Sequence, residues 1–582
     1  MRTRSGALRI SGLVWVACAA VLWAFVGTGW ATVWNVSTVS QLQGAVSSAG
    51  PGDEIIIVPG TYNLTSPLNL SDVGMTIRGS TGDREDVELV GGGMNTRGVD
   101  EILIVNVDDV TIRDLTARDC YFNGIHIRGE NQASGTLISN VKIIDIGERH
   151  IKGSGGGSAS AISDDVVIEQ VYMLQTQPRT GHPDTNPDYI GGIDCMGTRG
   201  WTIRDSVAEG IVGAENGGNA GIFLWQGVQN VTIERNAMIS CAKGIALGNP
   251  SGPTASPPVF TYPWHAINVM VRNNFVLRGP WTTGNNIGIE LCNTKDVSVY
   301  NNTFYSENAS YFRLISPYDA AGEGLTTNLQ MVNNIIRGGV FDLTQAGGWS
   351  AASVAAMGNL VHGEATIDVS PTWFVDPANG DFHLTALATP AIDQATVLAD
   401  VPEDIDRQTR PSGSAPDFGG DEYVVLPALV SSDPAADGTL PKTQNNVMLL
   451  TFDSAISLPG SGPALSIFGG GFEEGDAFTY SVEPDGVTLK AVEQGPILTD
   501  LTWYQIAPTA AFQVDAFAFD LCTLVGDANN SGRVTTADYS QVKAHMSEYT
   551  DARYDLNGSG RVTTADYSVV KANLGHRVPP KP

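Results

Sequence analysis

The most regular feature of the sequence is a short pattern of alternating apolar and polar residues that recurs between Gly192 and Val340. Its copies start 30, 38, 28 and 32 residues apart, and each ends in one or two polar residues. Those copies begin at Trp201, Val231, Val269, Val297 and Leu329. Such uneven spacing excludes helical repeats of fixed length, but it suits coils whose strands are constant and whose turns vary. The pattern therefore predicts a parallel β-solenoid.

Each coil carries a second strand ahead of the first, with the pattern Gly-Ile-x-apolar. Its copies begin at Gly192, Gly221, Gly244 and Gly288. Because the apolar residues fall at every second position, alternate side chains stack inside the coil and the others face outward. We therefore predict an inner column of Ile193, Ile222, Ile245 and Ile289, and an outer column of Asp194, Phe223, Ala246 and Glu290.

An asparagine recurs at one offset after the strands of the first pattern. The four residues are Asn236, Asn274, Asn302 and Asn334. Asparagine side chains can hydrogen-bond to backbone groups that a turn leaves unpaired. The recurrence predicts a ladder of such side chains that satisfies the turns, rather than a ligand site.

Length, charge and cysteine content limit the class of protein. A chain of 582 residues has room for three or four domains and a large core. Its formal net charge of −29 argues against nucleic acid as the natural partner. Beyond Cys18, the cysteines are scattered singly at Cys120, Cys195, Cys241, Cys292 and Cys522. Such scatter predicts neither a disulfide framework nor a zinc cluster.

The N-terminus has the features of a secretory signal peptide. Arg2 and Arg4 precede the apolar run from Leu13 to Val26, and a small-residue cleavage pattern ends at Ala31. We therefore predict export, with cleavage after Ala31. No later run is long and apolar enough for a membrane span, which predicts an extracellular protein that is free or held at a surface by its own modules.

The strand pattern and the opening segment Gly50–Tyr62 (Gly-Pro-Gly-Asp-Glu-Ile-Ile-Ile-Val-Pro-Gly-Thr-Tyr) together resemble right-handed parallel β-helix proteins of the pectate-lyase type. The resemblance covers about residues 35–423. It implies a polysaccharide lyase or glycoside hydrolase, although one scaffold hosts many different sites. Long turns at 175–191 and 279–286 precede Gly-Ile strands, so we expect a groove on the face of those strands.

Beyond Val340 the strand pattern is no longer regular, and two segments of different sequence pattern follow. Residues up to 423 look like the closing segment of secreted β-helix proteins, with aspartates as turn formers. From 424 to 521, short alternating segments such as Val447–Phe452 resemble a bacterial Ig-like β-sandwich. This segment is strongly acidic, which favours a solvated spacer.

The sharpest motif is a twelve-residue loop that is repeated 28 residues further on. Calcium prefers six to eight oxygen ligands, and such loops supply them from the first, third, fifth and twelfth side chains and the seventh carbonyl, with a glycine at the sixth position. The predicted ligands are Asp527, Asn529, Ser531, the Arg533 carbonyl and Asp538 in the first loop, and Asp555, Asn557, Ser559, the Arg561 carbonyl and Asp566 in the second.

These paired loops, each followed by a helix and ended by Asp, closely resemble dockerin modules. Dockerins bind cohesin domains on scaffolding proteins, so the resemblance implies a cohesin partner and Ca²⁺ as the bound ion. It places recognition at Thr536-Ala537 and Thr564-Ala565, and the identity of the two pairs would permit two docking poses. A calcium-clamped anchor without a cohesin is the alternative.

Candidate catalytic residues gather around Asp194. Asp194 and Glu290 lie three rungs apart in the outer column, about 14 Å, which is too far for a pair of hydrolytic carboxylates. A lyase needs positive charge against a uronate carboxylate and a base for the α proton. The catalytic candidates are Asp194, Arg199, Glu215, Lys243 and His182. A solvated or turn-stabilising role is the alternative for each, and the segment around His150 and Lys152 is expected to be an ordinary loop.

Aromatic residues on the turns beside the Gly-Ile strands give a second indication. Aromatic faces stack on sugar rings, although a proline-rich loop also uses aromatic residues for its own packing. The substrate-binding candidates are Trp225, Tyr262, Trp264, Trp281 and Glu290.

The sequence thus predicts an all-β protein with a small helical end. It divides into a signal peptide at 1–31, a right-handed parallel β-helix at 32–423, an Ig-like sandwich at 424–521 and a dockerin-like calcium module at 522–582. The predicted function is that of a polysaccharide lyase or glycoside hydrolase, and a non-catalytic glycan-binding or surface-structural solenoid is the alternative. The predicted partners are a polysaccharide and a cohesin domain.

Overall fold

The computed structural model describes most of the chain beyond the N-terminal segment, and for 315–318 and 472–473 it describes the backbone only. The described residues are 31–155, 157–180, 186, 188–249, 252–256, 259–280, 287–308, 315–318, 326–340, 349–460, 462–469, 472–473, 477–509, 511–546 and 553–581. The chain divides into two compact units between Tyr423 and Val424.

The first unit is built from short strands. They are β1 (Val33–Val36), β2 (Glu54–Ile57), β3 (Gly60–Asn63), β4 (Leu68–Leu70), β5 (Thr76–Gly79), β6 (Val87–Val90), β7 (Glu101–Val105), β8 (Thr111–Cys120), β9 (Asn123–Arg128), β10 (Leu137–Ile146), β11 (Arg149–Ser154), β12 (Ser163–Asp164), β13 (Val167–Glu169), β14 (Tyr172–Leu174), β15 (Gly191–Met196), β16 (Thr198–Arg199), β17 (Thr202–Arg204), β18 (Val207–Glu209), β19 (Ala220–Trp225), β20 (Val228–Glu234), β21 (Ala237–Cys241), β22 (Lys243–Leu247), β23 (Ala266–Arg272), β24 (Phe275–Arg278), β25 (Ile287–Cys292), β26 (Thr294–Tyr300), β27 (Thr303–Tyr305), β28 (Ile315–Tyr318), β29 (Gln330–Val332), β30 (Ile335–Arg337), β31 (Leu360–Val361), β32 (Phe374–Asp376) and β33 (Asp381–Leu384). Its helices are α1 (Val39–Ser48) and α2 (Ala351–Ala356), with 3₁₀ turns at Gly129–Asn131 and Pro371–Trp373.

The strands pair in parallel between successive turns of a coil, as the sequence predicted. One sheet of nine strands runs in the order β4-β7-β9-β11-β15-β19-β22-β25-β28. A larger sheet contains two ladders, β2-β5-β8-β10-β13-β17-β20-β23-β26-β29 and β3-β6-β8-β10-β14-β18-β21-β24-β27-β30-β31, which share the long strands β8 and β10. This arrangement is a parallel β-helix.

The inner wall of the coil is aliphatic. Ile193 pairs with Ile222, Ile222 with Ile245, and Ile245 with Ile289 on successive rungs. All four side chains are buried, and they belong to one continuous core that runs through the described part of the coil. The predicted inner column is therefore confirmed.

The corner between the two ladders is formed by a column of left-handed residues. One residue per rung has a φ between 49° and 62°: Asp114, Asn140, Gln170, Asp205, Arg235, Asn273, Asn301 and Asn333. Asn and Asp tolerate this conformation better than most residues do. The next residue on each rung then turns into the coil.

The predicted asparagine ladder occupies those inward positions on four rungs and is buried. Asn236 donates its backbone N–H to Oδ1 of Asn274 at 2.9 Å, and Asn274 repeats this contact with Asn302 at 3.0 Å. The side-chain amide of Asn274 donates to the Ile233 carbonyl at 3.0 Å. Asn359 continues the ladder by accepting from the N–H of Asn334 at 3.0 Å. Each side chain thus satisfies backbone groups that the corner leaves unpaired.

Different elements pack against the coil near its two ends. Helix α1 begins after Thr38, whose side chain accepts a hydrogen bond from the Gln41 N–H, and its buried Leu42 contributes to the core at the first rung. Beyond β31, a tail containing the antiparallel hairpin β32-β33 packs on outward aromatic residues of the second ladder, among them Phe275 and Tyr305.

Aspartates of this tail act as the predicted turn formers. Asp404 accepts backbone N–H groups from Asp406 at 2.9 Å and Gln408 at 2.7 Å, and Asp417 accepts one from Tyr423 at 2.6 Å. Burial raises the pKa of Asp404 and of Asp417 to about 6, and that of Asp421 to about 7.

His383 lies among the acidic residues of the tail. Its Nδ1 is 2.5 Å from Oδ1 of Asp381, and its Nε2 is 3.0 Å from Oδ2 of Asp406. Burial alone would lower the pKa of His383, but Asp406, Asp421 and Asp381 raise it to about 10. The imidazolium therefore offsets part of the negative charge of the tail.

The second unit begins with a two-sheet β-sandwich, as predicted. Its strands are β34 (Leu429–Asp433), β35 (Thr439–Leu440), β36 (Val447–Phe452), β37 (Leu465–Gly469), β38 (Phe472–Glu473), β39 (Phe478–Val482), β40 (Thr488–Glu493), β41 (Trp503–Pro508) and β42 (Phe519–Thr523). The sheets have the orders β34-β36-β40-β39 and β35-β42-β41-β37-β38. Both contribute side chains to one core, for example Leu450 and Ile506.

The same unit ends with the repeated loops and their helices, α3 (Thr536–Ala544) and α4 (Thr564–Ala572). Tyr539 and Tyr567, which are equivalent in the two repeats, stack with ring centroids 4.7 Å apart. The sandwich and the loops form one compact unit, so the boundary predicted at 521 stays a prediction.

In the described part of the chain, no helix combines the length and the apolar character that crossing a bilayer requires. The predicted signal peptide lies almost entirely outside the described residues.

The ladder makes a prediction about stability. Asn274→Ala removes the acceptor of the Asn236 N–H and the donor to the Ile233 carbonyl, and we expect a loss of about 2 to 4 kcal/mol because each buried unpaired group costs about 1 to 3 kcal/mol. The urea midpoint of the β-helix measures this loss. The matched control, Asn379→Ala on the surface, should change the free energy of unfolding by less than about 0.5 kcal/mol. Equal effects of the two variants would contradict the ladder's role.

The tail makes a prediction about pH. The folded pKa values of Asp404, Asp417, Asp421 and His383 all lie above the ordinary values of 3.8 and 6.5, so the folded tail binds more protons than the unfolded chain. The stabilisation that these four groups contribute is therefore complete at pH values below their ordinary pKa values. It is lost as pH rises through about 6 to 7 for the carboxyls and through about 10 for His383.

We expect the urea midpoint of the β-helix to fall between pH 5 and pH 9, and the double variant His383→Gln/Asp421→Asn to show a shallower fall. Asp400→Asn, which changes an exposed carboxyl of the same tail, is the control and should retain the full slope. Parallel slopes for all three proteins would show that the tail does not set the pH dependence.

Candidate functional site

The outer face of the nine-stranded sheet carries the predicted column of polar and aromatic residues. Asp194 pairs in register with Phe223, Phe223 with Ala246, and Ala246 with Glu290. Asp194 and Glu290 are therefore three rungs apart, as predicted. The register also extends the column in the other direction, to Lys152 on β11.

Asp194 is buried and surrounded by donors. Nε of Arg149 donates to its Oδ2, Nζ of Lys152 lies 3.4 Å from the same oxygen, and Nε1 of Trp225 donates to Oδ1 at 3.1 Å. Nδ2 of Asn219 completes the set at 3.4 Å. Burial would raise the pKa of Asp194, but the charges of Arg149 and Lys152 together with these hydrogen bonds lower it below 3.8. Asp194 is thus a carboxylate and not a proton donor at neutral pH.

A second ion pair lies further along the same face. Nζ of Lys243 is 2.6 Å from Oε1 of Glu290. In both pairs the cation is the more accessible partner: the side chains of Lys152 and Lys243 are 17% and 13% exposed, against 2% for Asp194 and 4% for Glu290. Within each of these two pairs, a ligand that enters from solvent therefore meets the ammonium group before it meets the carboxylate.

One member of each pair, Asp194 and Lys243, lines a cleft of about 500 Å³, together with Arg149. Its wall includes Tyr189, whose ring lies 4.0 Å from the Arg149 guanidinium, and the stacked rings of Phe223 and Trp225, with centroids 5.2 Å apart. Tyr189 is 40% exposed, so part of its side chain is accessible to a ligand. The cleft thus combines aromatic surface, cations and fixed carboxylates.

Asp194, Lys243 and Trp225 of the predicted site residues line this cleft. Glu215 is exposed nearby, where its backbone N–H donates to Asp188, a lining residue, at 3.0 Å. Glu290 contributes through its contact with Lys243.

Arg199, Tyr262 and Trp264 lie elsewhere. Arg199 is on β16 of the larger sheet and pairs with Asp164 at 2.7 Å. Trp264 packs its ring against the ammonium of Lys295 at 4.9 Å, and Tyr262 is exposed on the same loop. None of the three lines the cleft. The predicted residues His182 and Trp281 lie outside the described part of the chain.

The expectation that His150 and Lys152 belong to an ordinary loop is wrong. Both lie on strand β11, and His150 is buried between the carbonyls of Gly191 at 3.1 Å and Leu174 at 3.3 Å. Arg149 and Lys152 are the residues that sequence reasoning missed. Ile151-Lys152 repeats the in-out pattern of Ile193-Asp194 one rung earlier, which is the signal that identifies them.

The repeated loops form a second candidate site. In the first loop Asp527 accepts the N–H of Ser531 at 3.0 Å and of Gly532 at 2.8 Å, while Oδ1 of Asp538 accepts the Asn529 N–H at 3.0 Å. The hydroxyl of Ser531 lies 3.0 Å from the Arg533 carbonyl. Both aspartates are buried. The predicted ligand oxygens thus converge on one small volume.

The second loop repeats this geometry. Asp555 accepts from Ser559 at 3.0 Å and from Gly560 at 2.6 Å, and Asp566 accepts from Asn557 at 3.0 Å. The hydroxyl of Ser559 lies 3.1 Å from the Arg561 carbonyl. The glycines at the sixth position, Gly532 and Gly560, have φ values of 76° and 84°, as the turn requires. A donor set of carboxylate, amide, hydroxyl and carbonyl oxygens fits Ca²⁺.

The sandwich supports both loops. Oγ1 of Thr439 donates to Oδ2 of Asp527 at 2.9 Å, and Nε2 of Gln444 donates to the Asn557 carbonyl at 2.9 Å. The sandwich was expected to be a solvated spacer; these contacts show that it also holds the calcium loops in place.

Comparison with known structures gives distant similarity to parallel β-helix proteins. A PL6 family alginate lyase is 13% identical, with 68% of this chain and 61% of the lyase covered and a TM-score of 0.31. A PL6 family polysaccharide lyase from Pseudopedobacter saltans is 14% identical, with 60% and 96% covered and a TM-score of 0.28. A tailspike protein of an E. coli bacteriophage, in complex with a pentasaccharide, is 12% identical, with 84% of each chain covered and a TM-score of 0.32. At these scores the fold assignment rests on the strand pairing described above.

No curated protein matches the sequence. The sequence model of the dockerin type I domain matches residues 525–575, which contain both calcium loops and both helices of the second unit. Residues 525–575 are therefore a dockerin type I domain, in a chain whose first unit is a parallel β-helix.

Proposed function

We propose that this protein is a secreted, carbohydrate-active β-helix protein that cleaves a uronate-containing polysaccharide as a lyase and is attached through its dockerin domain to a cohesin. The observation that carries the proposal is the cleft around Asp194, which Lys243 lines and in which the buried Asp194 is held by Arg149 and Lys152. The dockerin domain supports it, because the resemblance implies attachment to a scaffold.

The order of exposure in the cleft determines which ligand it suits. Lys243 lines the cleft and Lys152 lies beside the lining residue Asp194, and both ammonium groups are more exposed than the carboxylates that hold them. A uronate carboxylate gains charge-assisted hydrogen bonds from such ammonium groups. The accessible part of Tyr189 and the indole of Trp225 supply stacking surface for a sugar ring.

The spacing of the acids disfavours hydrolysis by these residues. Asp194 and Glu290 are three rungs, or about 14 Å, apart, whereas hydrolytic pairs need about 5 to 9.5 Å. A lyase needs no second carboxylate at that distance, because positive charge beside the uronate acidifies its α proton. We assign that charge to Lys243, which lines the cleft, and to Lys152 beside Asp194. We assign the base that accepts the α proton to Glu215, an exposed carboxylate next to the lining residue Asp188.

Glycan binding without cleavage is the second candidate function. One observation favours it: Asp194 and Glu290 are both buried and held in ion pairs, which occupy the oxygens that would have to accept a proton. In this alternative the same cleft recognises the polysaccharide, and the dockerin domain brings that recognition to a scaffold.

Attachment to a cohesin is the finer proposal for the second unit. Thr536 and Ala537 at the start of α3, and Thr564 and Ala565 at the start of α4, are all exposed. Because the two pairs are identical and similarly placed, each copy alone offers a recognition surface. Calcium held by the loops would fix the N-terminal turn of each helix, since Asp538 and Asp566 are both ligand candidates and helix-capping residues.

The lyase proposal predicts new absorbance near 235 nm when the protein is incubated with uronate polysaccharides. Lys243→Met should reduce the initial rate at least tenfold, since it removes a cation from the cleft surface. Arg199→Met, on the other sheet, is the matched control and should stay within twofold. Binding of the polysaccharide with no absorbance change across the panel would favour the binding alternative, and the absence of both would refute the assignment of the cleft.

The cohesin proposal predicts binding to immobilised type I cohesins in calcium and release by a chelator. Thr536→Glu and Thr564→Glu should each leave binding within about threefold, because the other copy remains intact, while the double variant should lose binding. A thermal shift of the second unit on calcium addition verifies that the loops are loaded. A calcium-dependent shift without cohesin binding would support the calcium-clamped anchor instead.

A further inference from the structure

One polar cluster on the outer face of the nine-stranded sheet takes no part in the cleft. It combines Glu101 on β7, His126 on β9 and Ser154 on β11, which are neighbouring strands. Nδ1 of His126 lies 2.7 Å from Oε1 of Glu101, and Nε2 of His126 lies 2.9 Å from Oγ of Ser154. A carboxylate, an imidazole and a hydroxyl are thus connected in series through both ring nitrogens.

The acid end of this series is firmly held. Nδ2 of Asn123 donates to Oε1 of Glu101 at 2.7 Å, and Nη2 of Arg128 lies 3.5 Å from Oε2. Burial raises the pKa of Glu101, but the contacts with His126, Asn123 and Arg128 lower it overall. An ionised Glu101 accepts a hydrogen bond from Nδ1–H of His126, so Nε2 carries the lone pair and faces the Ser154 hydroxyl.

We propose that Glu101, His126 and Ser154 form the catalytic triad of an acyl-ester hydrolase, a second activity of the β-helix. Such a triad is recognised by geometry and by the roles of its members, not by the order of the residues in the chain. Here the order is Glu, His, Ser, and three successive rungs supply one member each. The inference does not depend on the lyase proposal.

The chemistry balances with water as the only co-reactant. Nε2 of His126 takes the proton of Ser154 as Oγ bonds to the ester carbonyl carbon, and the same proton goes to the leaving alcohol oxygen when the C–O bond breaks. Water then gives a proton to Nε2 and its oxygen to the acyl carbon, and Ser154 recovers its proton as the acid leaves. Glu101 stabilises the imidazolium in both halves.

Two neighbours of Ser154 affect this chemistry. Arg128 is its register partner on the next rung, where its guanidinium can stabilise the oxyanion that develops on the carbonyl. Glu130, which is exposed, accepts the Ser154 hydroxyl in the resting structure. Glu130 therefore competes with His126 for the proton, and its removal should free the nucleophile.

The surroundings indicate a short acyl group on a saccharide. Ser154 has the polar neighbours Arg128 and Glu130, and Glu130 is exposed, so the group that binds at Ser154 is expected to be small and polar. His126 is in register with Lys152, which contacts Asp194 of the cleft. A saccharide chain along the sheet could therefore present an O-acetyl group to Ser154.

The test measures covalent chemistry at Ser154 in the full-length protein. A fluorophosphonate probe should label Ser154, as located by peptide mass spectrometry, and p-nitrophenyl acetate and an O-acetylated polysaccharide should both be hydrolysed. Ser154→Ala should abolish labelling and reduce ester hydrolysis at least a hundredfold. Ser158→Ala, which alters an exposed serine of the following loop, is the matched control and should stay within twofold.

The remaining variants separate catalysis from structure. Glu101→Gln should reduce hydrolysis at least tenfold with an unchanged unfolding midpoint, and Glu130→Gln should raise the rate of labelling. His126→Ala should reduce ester hydrolysis at least a hundredfold, because it removes the base that takes the Ser154 proton. Absence of Ser154 labelling, or equal hydrolysis by the Ser154→Ala protein, would overturn the proposal whether or not the lyase activity exists.

Discussion

The stacking of one rung directly on the next is the constraint on which the first unit depends. Parallel pairing fixes which residue of each rung lies above which, and the buried asparagine ladder secures the register at the corner where backbone groups would otherwise lack partners. Because the inner column is aliphatic, a slip by one residue would send isoleucines to solvent and polar side chains into the core. The register of the buried residues therefore sets the position of every outward column.

Because the register is fixed, separate clusters of polar residues can form on one sheet. Residues distant in sequence, such as His126 and Ser154 or Arg149 and Asp194, meet because their rungs are neighbours. Buried ion pairs such as Arg149–Asp194 contribute little net stability, since desolvation offsets their attraction. These ion pairs instead fix the positions of the charged groups, because a rigid strand holds each charge in one place beside a ligand.

The sequence was sufficient to predict the columns and the asparagine ladder, but not the sheet to which a residue beyond a corner belongs. Period-two alternation in the Gly-Ile strands and the repeated asparagines were sufficient to assign the inner column, the outer column and the ladder. Arg199 was placed near Asp194 because the two are close in sequence, yet the chain turns a corner at Gly197 (φ 58°), so Arg199 lies on the other sheet. Arg149 and Lys152 escaped notice because the glycine-rich segment after them resembles a loop. Side-chain pairing across rungs depends on turn length, which the pattern does not encode.

The second unit follows a different logic, in which a sandwich completes a metal-binding module. The dockerin loops could be recognised from twelve residues because ligand chemistry dictates each position. The residues that support the loops could not be predicted, because Thr439 and Gln444 belong to no motif. They contact Asp527 and the second loop only in the folded sandwich. Metal binding to such loops contributes to folding free energy. Since the sandwich donates hydrogen bonds to a ligand carboxylate and to the loop backbone, calcium bound there would stabilise both parts of the unit together.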